Sequence, residues 1–207
     1  MTTTTTSLED LQKALKAAEL AYSKAQGEST RLNKVRWDLE GQIRDLNAKI
    51  RAIRTKAFEA LAFEKAGNAK PYFDEAGRLL EQRNNLRAAL AYVASVLYEK
   101  ASIDEAEKYI AEREATATLL AAQGEDVRSR AIKAASAAAE IDPGLFIGMR
   151  TIKTESGTIG SNSKSHNLSE QAEAIWKTIP NLQSDLDKKR AAAASEAEQI
   201  AAAIYNV

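Results

Sequence analysis

Residues 32–53 read LNKVRWDLEGQIRDLNAKIRAI, and the spacing of the large apolar side chains in this stretch decides the fold. An α-helix places residues three, four or seven positions apart on one face. The leucines and isoleucines follow one another at intervals of seven, four, three, four and three: Leu32, Leu39, Ile43, Leu46, Ile50 and Ile53. The pattern predicts an amphipathic helix with a narrow apolar seam.

The same heptad register extends without a phase shift from Leu8 to about Ala60. Its a positions are Leu8, Leu15, Tyr22, Ser29, Arg36, Ile43, Ile50 and Ala57, and its d positions are Leu11, Ala18, Ala25, Leu32, Leu39, Leu46, Ile53 and Ala60. A repeat sustained this long is typical of coiled coils. It predicts one helix roughly 80 Å long at 1.5 Å per residue, and its seam needs cover from another helix.

Two polar residues, Ser29 and Arg36, occupy seam positions. One interpretation is that Arg36 extends its charged group outward while its stem stays in the seam. The other is that a polar seam position sets the register of the helices. Gly27 and Gly41 each weaken the helix by about 1 kcal/mol relative to alanine.

A second long helix is expected after a short turn. Gly67, Asn68 and Pro71 form a helix-stop signal, so the first helix should end there and the second should begin near Tyr72. Its apolar residues also follow helical spacing: Leu79, Leu86, Leu90, Val93 and Leu97. Two long amphipathic helices joined by a short turn favour an antiparallel hairpin.

The predicted fold is mainly α, a long antiparallel helical hairpin of coiled-coil type with a C-terminal helical region. Residues 1–7 form a disordered Thr-rich N-terminus in which Ser7 caps the first helix, and residues 8–124 form the hairpin, which ends at Gly124. Residues 125–207 hold Ala-rich helices, interrupted by a small β-hairpin at about 145–160 and by a helix end before Pro180.

Composition argues against most kinds of chemistry. The chain has 29 basic and 29 acidic residues, so no net charge draws it to nucleic acid or to anionic membranes. It has no cysteine, which excludes thiolate metal sites and cysteine nucleophiles. The single histidine, His166, is expected to be an ordinary surface residue, and no catalytic, metal or cofactor site is predicted.

One local charge feature suggests a binding site. Between Arg31 and Lys56 the chain carries eight basic and three acidic residues, and Arg44, Lys49, Arg51 and Arg54 are the candidates for nucleic-acid contact. The alternative is that this basic stripe pairs with the acid-rich span 99–126 of the same chain. Lys49 at g would face Arg54 at e in a parallel homodimer, which disfavours that arrangement.

The function expected from these patterns is a non-enzymatic structural or adaptor protein that assembles through coiled-coil helices, as a component of a virion or another large complex. The alternatives are a nucleic-acid-binding protein that uses the basic stripe, and an enzyme or inhibitor whose site forms only in the oligomer. Partners are proteins or further copies of the chain, in a homo-oligomer. With no signal peptide or apolar span, the expected location is the cytoplasm or an assembly formed there. The expected contact residues are Leu32, Leu39, Ile43, Leu46, Ile50, Ile53, Phe146 and Ile147.

Overall fold

In the computed structural model, residues 7–63, 66–141 and 164–205 are described, and all of them except Ser7 lie in helices. The helices are α1 (Leu8–Phe63), α2 (Ala66–Tyr92), a π-helical segment (Val93–Tyr98), α3 (Glu99–Ile141) and α4 (Lys164–Tyr205). The prediction of a mainly α chain is confirmed for this part. The predicted Thr-rich tract up to residue 6 and the predicted β-hairpin at 145–160 lie outside the described residues.

Helix α1 begins with the predicted cap. The Ser7 hydroxyl accepts a hydrogen bond from the Asp10 backbone N–H at 3.1 Å and donates one to the Asp10 carboxylate at 2.7 Å. The backbone N–H groups in the first turn of a helix have no partner within the helix, so a side-chain oxygen here stabilises the helix by about 1 kcal/mol. Asp10 also places negative charge at the positive end of the helix dipole.

The burial of α1 follows the heptad register. Every buried residue of α1 falls on a predicted a or d position: Ala25, Ser29, Leu32, Ile43, Leu46, Ile50, Ala57 and Ala60. The other predicted seam positions are half-buried. A buried aliphatic side chain contributes about 1.5–3 kcal/mol to the stability of the fold, so the buried residues of this seam account for most of the packing energy of α1.

Contacts within the chain define two units, the first within residues 1–24 and 105–189 and the second within residues 25–104 and 190–207. In the second unit, Leu46 and Ile50 of α1 pack against Leu79 of α2. Three half-buried residues surround this cluster: Ile53, Leu80 and Leu86. The seam of α1 is therefore covered here by α2 of the same chain.

Two further contacts of the second unit show the direction of the helices. The Phe58 and Phe73 rings meet edge to face at 5.9 Å, and Arg83 Nη1 donates to Asn47 Oδ1 at 3.4 Å. Moving back along α1 from Phe58 to Asn47 thus corresponds to moving forward along α2 from Phe73 to Arg83. The contacting parts of α1 and α2 run in opposite directions.

Helix α2 begins earlier than the sequence predicts. It starts at Ala66 and includes Gly67, Asn68 and Pro71, so the predicted helix stop at these residues is wrong. Pro71 is near the start of α2 and removes only the hydrogen bond to the Gly67 carbonyl, which is at an exposed position open to water. Burial of Ala69 and Ala76 on both sides of the proline holds this turn in the helix.

The first unit joins parts of α1, α3 and α4. Tyr22 of α1 lies 5.3 Å from Tyr109 of α3, measured between ring centroids. On α3, Gly124 contacts α4: the Ser165 hydroxyl donates to the Gly124 carbonyl at 2.8 Å. The prediction that a helix ends at Gly124 is wrong, because α3 continues to Ile141. Gly124 is buried, and its missing side chain lets α4 approach.

Helix α4 also continues through a predicted break. Pro180 lies inside α4, so the helix end predicted before it is wrong. The seam of α4 repeats every three or four residues through the proline, as buried or half-buried Leu168, Ala172, Ile175, Ile179, Leu182 and Leu186. Packing of this seam outweighs the lost hydrogen bond, since tertiary contacts supply most helix stability.

Candidate functional site

The predicted contact residues of α1 lie inside the chain. Leu32, Ile43, Leu46 and Ile50 are at most 8% exposed, and Leu39 and Ile53 are half-buried. Leu46 and Ile50 contact α2 directly. A second molecule could reach this seam only if the helices of the chain separated. Phe146 and Ile147, the other two predicted contact residues, lie outside the described residues.

Arg36, a polar residue of the seam, has its charged group stacked on an aromatic ring. Its guanidinium lies 5.6 Å from the centroid of the Tyr98 ring, at the end of the π-helical segment, and its Nε is 3.5 Å from a Glu40 carboxylate oxygen. The side chain is 34% exposed. This geometry supports the interpretation in which the stem fills the seam and the charge reaches toward solvent.

Five large apolar residues lie exposed where α1 ends and α2 begins. We call them the end surface: Phe58 at 60% exposure, Leu61 at 45%, Phe63 at 88%, Tyr72 at 37% and Phe73 at 39%. Phe58 and Phe73 touch each other, so part of the surface is one continuous apolar patch. Soluble proteins seldom leave such a patch uncovered, and large exposed patches mark contact sites.

Charged side chains of both signs flank the end surface. Lys56 and Lys70 are exposed, and so are Glu59, Asp74 and Glu75. None of these five forms an ion pair with another residue in the described part of the chain. An apolar centre with unpaired acids and bases around it resembles the apolar core and polar rim of a protein–protein interface.

The four basic residues predicted to contact nucleic acid are all exposed: Arg44, Lys49, Arg51 and Arg54. Among the described residues the side chains of these four form no ion pair, and the one side-chain hydrogen bond found for them joins Arg51 Nε to the Asn47 carbonyl at 3.4 Å. The predicted pairing of these four with the acid-rich span 99–126 is therefore not formed in the described structure.

Elsewhere in the basic stripe, carboxylates of α1 itself neutralise the arginines. Arg31 donates two hydrogen bonds to Glu28, at 2.9 and 2.6 Å. The hydrogen bond from Arg31 holds the pKa of the Glu28 carboxyl below its ordinary value and raises the pKa of Arg31. Both groups are exposed, so this pair contributes little to stability.

The described residues contain no group of three or more histidine, aspartate or glutamate side chains able to hold a metal ion. His166 lies in α4, where its Nε2 is 3.1 Å from a Glu170 carboxylate oxygen one turn away. Lys164 and Ser165 belong to the first turn of α4. None of the described helices contains a stretch that is long and apolar enough to cross a membrane.

Sequence reasoning overlooked the end surface. The signal was present, because Phe58 and Phe63 occupy the b and g positions of the heptad, outside the seam. Large aromatic residues at positions that a two-helix seam leaves in water indicate a further contact. Trp37, at another b position, is 62% exposed and belongs to the same class.

Comparison with protein-family models, with curated proteins and with solved structures finds no match.

Proposed function

We propose that the chain is a non-enzymatic structural protein that assembles with further copies of itself through the end surface. In this proposal α1 packs along α2 as an antiparallel hairpin of coiled-coil type, and this hairpin presents the end surface to the second copy. The observation that carries the proposal is the exposure of Phe58 and Phe63, which are 60% and 88% accessible.

The burial of the α1 seam supports the choice of surface. Leu46 and Ile50 are already packed against α2, so an intermolecular coiled coil through them would first have to break these contacts. Each buried aliphatic residue freed from this packing costs about 1.5–3 kcal/mol. The end surface is apolar and needs no such rearrangement. Assembly through it leaves the helical packing intact.

A second copy is the partner that the charges around the end surface favour. A two-fold contact places the same patch on both molecules, so the patch must complement itself. Lys56 and Lys70 carry positive charge beside the patch, and Glu59, Asp74 and Glu75 carry negative charge. In a two-fold pair the bases of one copy can face the acids of the other.

Light scattering after size-exclusion chromatography tests this proposal. The wild-type chain should show at least twice its mass of 22.5 kDa, with the share of oligomer rising with concentration. The double variant Phe58→Ser/Phe63→Ser should show the single-chain mass, because it removes the two most exposed aromatic rings of the end surface.

Leu20→Ser is the matched control. Leu20 is 73% exposed but lies outside the end surface, so this variant should keep the wild-type mass. Circular dichroism checks that all variants remain helical. A wild-type chain of single mass at every concentration would refute self-assembly, and an unchanged mass in the double variant would refute the role of the end surface.

A further inference from the structure

We propose that α1 carries a binding site for single-stranded nucleic acid on one face, formed by Arg44, Arg51 and Arg54 between the exposed rings of Trp37 and Phe58. We call these five residues the arginine face. The inference does not rest on the proposed self-assembly. It starts from a feature that assembly does not explain, namely three exposed guanidinium groups without a carboxylate partner in the described structure.

The five residues share one face because of their heptad positions. Trp37, Arg44, Arg51 and Phe58 follow one another at intervals of seven, all at position b, and Arg54 lies at the neighbouring position e. At 1.5 Å per residue the arginines at b are about 10 Å apart along the axis, and the two rings are about 32 Å apart. The face therefore forms one line along the helix.

One acidic residue lies on this side of the helix, Glu40 at position e between Trp37 and Arg44, and its carboxylate is 3.5 Å from Arg36 Nε. From Gly41 to Ala62 the b, e and f positions of α1 hold no aspartate or glutamate. The acids of this stretch, Asp45 and Glu59, occupy position c, about 100° around the helix from position b. The face therefore has a positive potential although the whole chain has no net charge, and a phosphate backbone is the complementary ligand.

The aromatic residues favour a single strand over a duplex. Trp37 is 62% exposed and lies outside the end surface, so much of its ring is free. Phe58 is 60% exposed but also belongs to the end surface, so a single strand and a second copy would compete for its ring. Unpaired bases stack on such rings while arginines contact the backbone, as in other proteins that bind single strands. The bases of a duplex are stacked on one another and offer no free faces.

The order of the residues argues against a lipid surface. A helix adsorbed on a membrane buries an apolar face in the acyl region and keeps its basic residues at the edge. On α1 the arginines lie between Trp37 and Phe58 on the same line. Burying both rings would bury Arg44 and Arg51 with them, which is costly for unpaired charges.

Lys49 falls outside this site, although the sequence grouped it with the three arginines. It occupies position g, two residues from Arg51 and about 200° around the helix from it. Lys49 of α1 and Arg78 and Arg87 of α2 are exposed basic residues of the same unit that belong neither to the arginine face nor to the end surface. They provide a control with the same change in charge.

Fluorescence anisotropy with labelled oligothymidine and oligouridine of about 15 nucleotides tests the proposal, a length near the upper end of common binding sites. With three phosphate contacts, the affinity of the full chain should fall about twentyfold between 50 and 200 mM salt, at roughly −0.7 per contact on a log–log plot. Arg44→Gln/Arg51→Gln/Arg54→Gln should abolish most of this binding and its salt dependence. Lys49→Gln/Arg78→Gln/Arg87→Gln should retain both.

A second readout reports stacking directly. In a Trp176→Phe background Trp37 is the only tryptophan of the chain, and a bound oligonucleotide should quench its fluorescence. Trp37→Ala should weaken binding at least about fivefold, the lower end for one stacked base. Light scattering on the arginine variant should give the wild-type mass, because none of the three arginines belongs to the end surface.

Three outcomes would overturn the proposal. The first is no binding of either oligonucleotide by the wild-type chain at low salt. The second is equal loss of binding in the arginine-face variant and the control variant, which would indicate a diffuse positive field. The third is binding to duplex DNA or to vesicles containing phosphatidylserine that exceeds binding to the single strands.

Discussion

Substitution of Gly124 by alanine tests how α3 and α4 pack in the first unit. An alanine Cβ at this position would lie 3.0 Å from the Ser169 hydroxyl oxygen and 3.2 Å from the Ser165 carbonyl oxygen. The hydroxyl can rotate away, but the carbonyl belongs to the backbone of α4. The two helices must therefore shift apart by a few tenths of an ångström to accept the methyl group.

Two opposing effects set the magnitude. Alanine is better than glycine inside a helix by about 1 kcal/mol. Overpacking a close contact costs about 1–3 kcal/mol, and any lengthening of the 2.8 Å bond from Ser165 to the Gly124 carbonyl weakens a hydrogen bond worth about 1 kcal/mol. We expect Gly124→Ala to lower the free energy of unfolding by about 1 kcal/mol.

Gly27→Ala is the control for this prediction. Gly27 is also inside a helix, and no neighbouring atom lies within 4 Å of a Cβ built there. This substitution should stabilise the chain by up to about 1 kcal/mol. Urea unfolding followed by circular dichroism should therefore separate the two variants by about 2 kcal/mol. Equal stabilisation by both substitutions would refute the close contact between α3 and α4.

Three further predictions concern single residues. Ile50→Ala removes a seam residue that is 4% exposed, so we expect a loss of about 2–5 kcal/mol in urea unfolding, against less than about 0.5 kcal/mol for exposed Leu61→Ala. Pro180→Ala restores a helix donor and should raise the melting temperature of the chain, since proline inside a helix costs about 3 kcal/mol; a lower melting temperature would contradict a continuous α4. The Glu28 carboxyl should titrate in NMR below its ordinary pKa of 4.5, and Arg31→Gln should return the pKa toward that value. Because the folded chain lowers this pKa, the small stabilisation from the pair is present above pH 4.5 and is lost as the pH falls through the lowered pKa. An unchanged Glu28 pKa in Arg31→Gln would exclude the hydrogen bond as its cause.

The regular part of the fold could be predicted because one energetic term dominates it. The α1 seam is a strict repeat, and residues such as Leu32 and Ile50 are buried where the register places them. The cap at Ser7 follows from local hydrogen bonding alone. Both features depend on short-range rules that need no knowledge of distant contacts.

The helix ends could not be predicted in the same way. Pro71, Gly124 and Pro180 are local helix breakers, and sequence reasoning treated each of them as a boundary. In the structure all three lie inside helices, because tertiary packing outweighs the local cost. At Gly124 the missing side chain is itself a packing feature, which requires knowledge of α4.

The candidate surfaces were only partly predictable. The sequence indicated Arg44, Arg51 and Arg54, but it grouped them with Lys49 and left open whether acids of the chain neutralise them. Assigning each residue to its heptad position separates Lys49 from the arginines. Exposure of Trp37 and Phe58 is a property of the folded chain, because it depends on which faces of α1 the other helices leave uncovered.

In the second unit α2 of the same chain covers the seam of α1 around Leu46 and Ile50, which leaves the end surface and the arginine face for partners. The chain has no cysteine, so Asn47→Cys/Arg83→Cys introduces a single pair of thiols. The native side chains at these two positions are joined by the hydrogen bond from Arg83 Nη1 to Asn47 Oδ1 at 3.4 Å. A short bis-maleimide reagent added to a mixture of isotope-labelled and unlabelled chains, followed by mass spectrometry, measures where the link forms. We predict that the linked peptides come from one chain, with both carrying the same label. Links found mainly between labelled and unlabelled chains would show instead that α2 of another copy packs against α1.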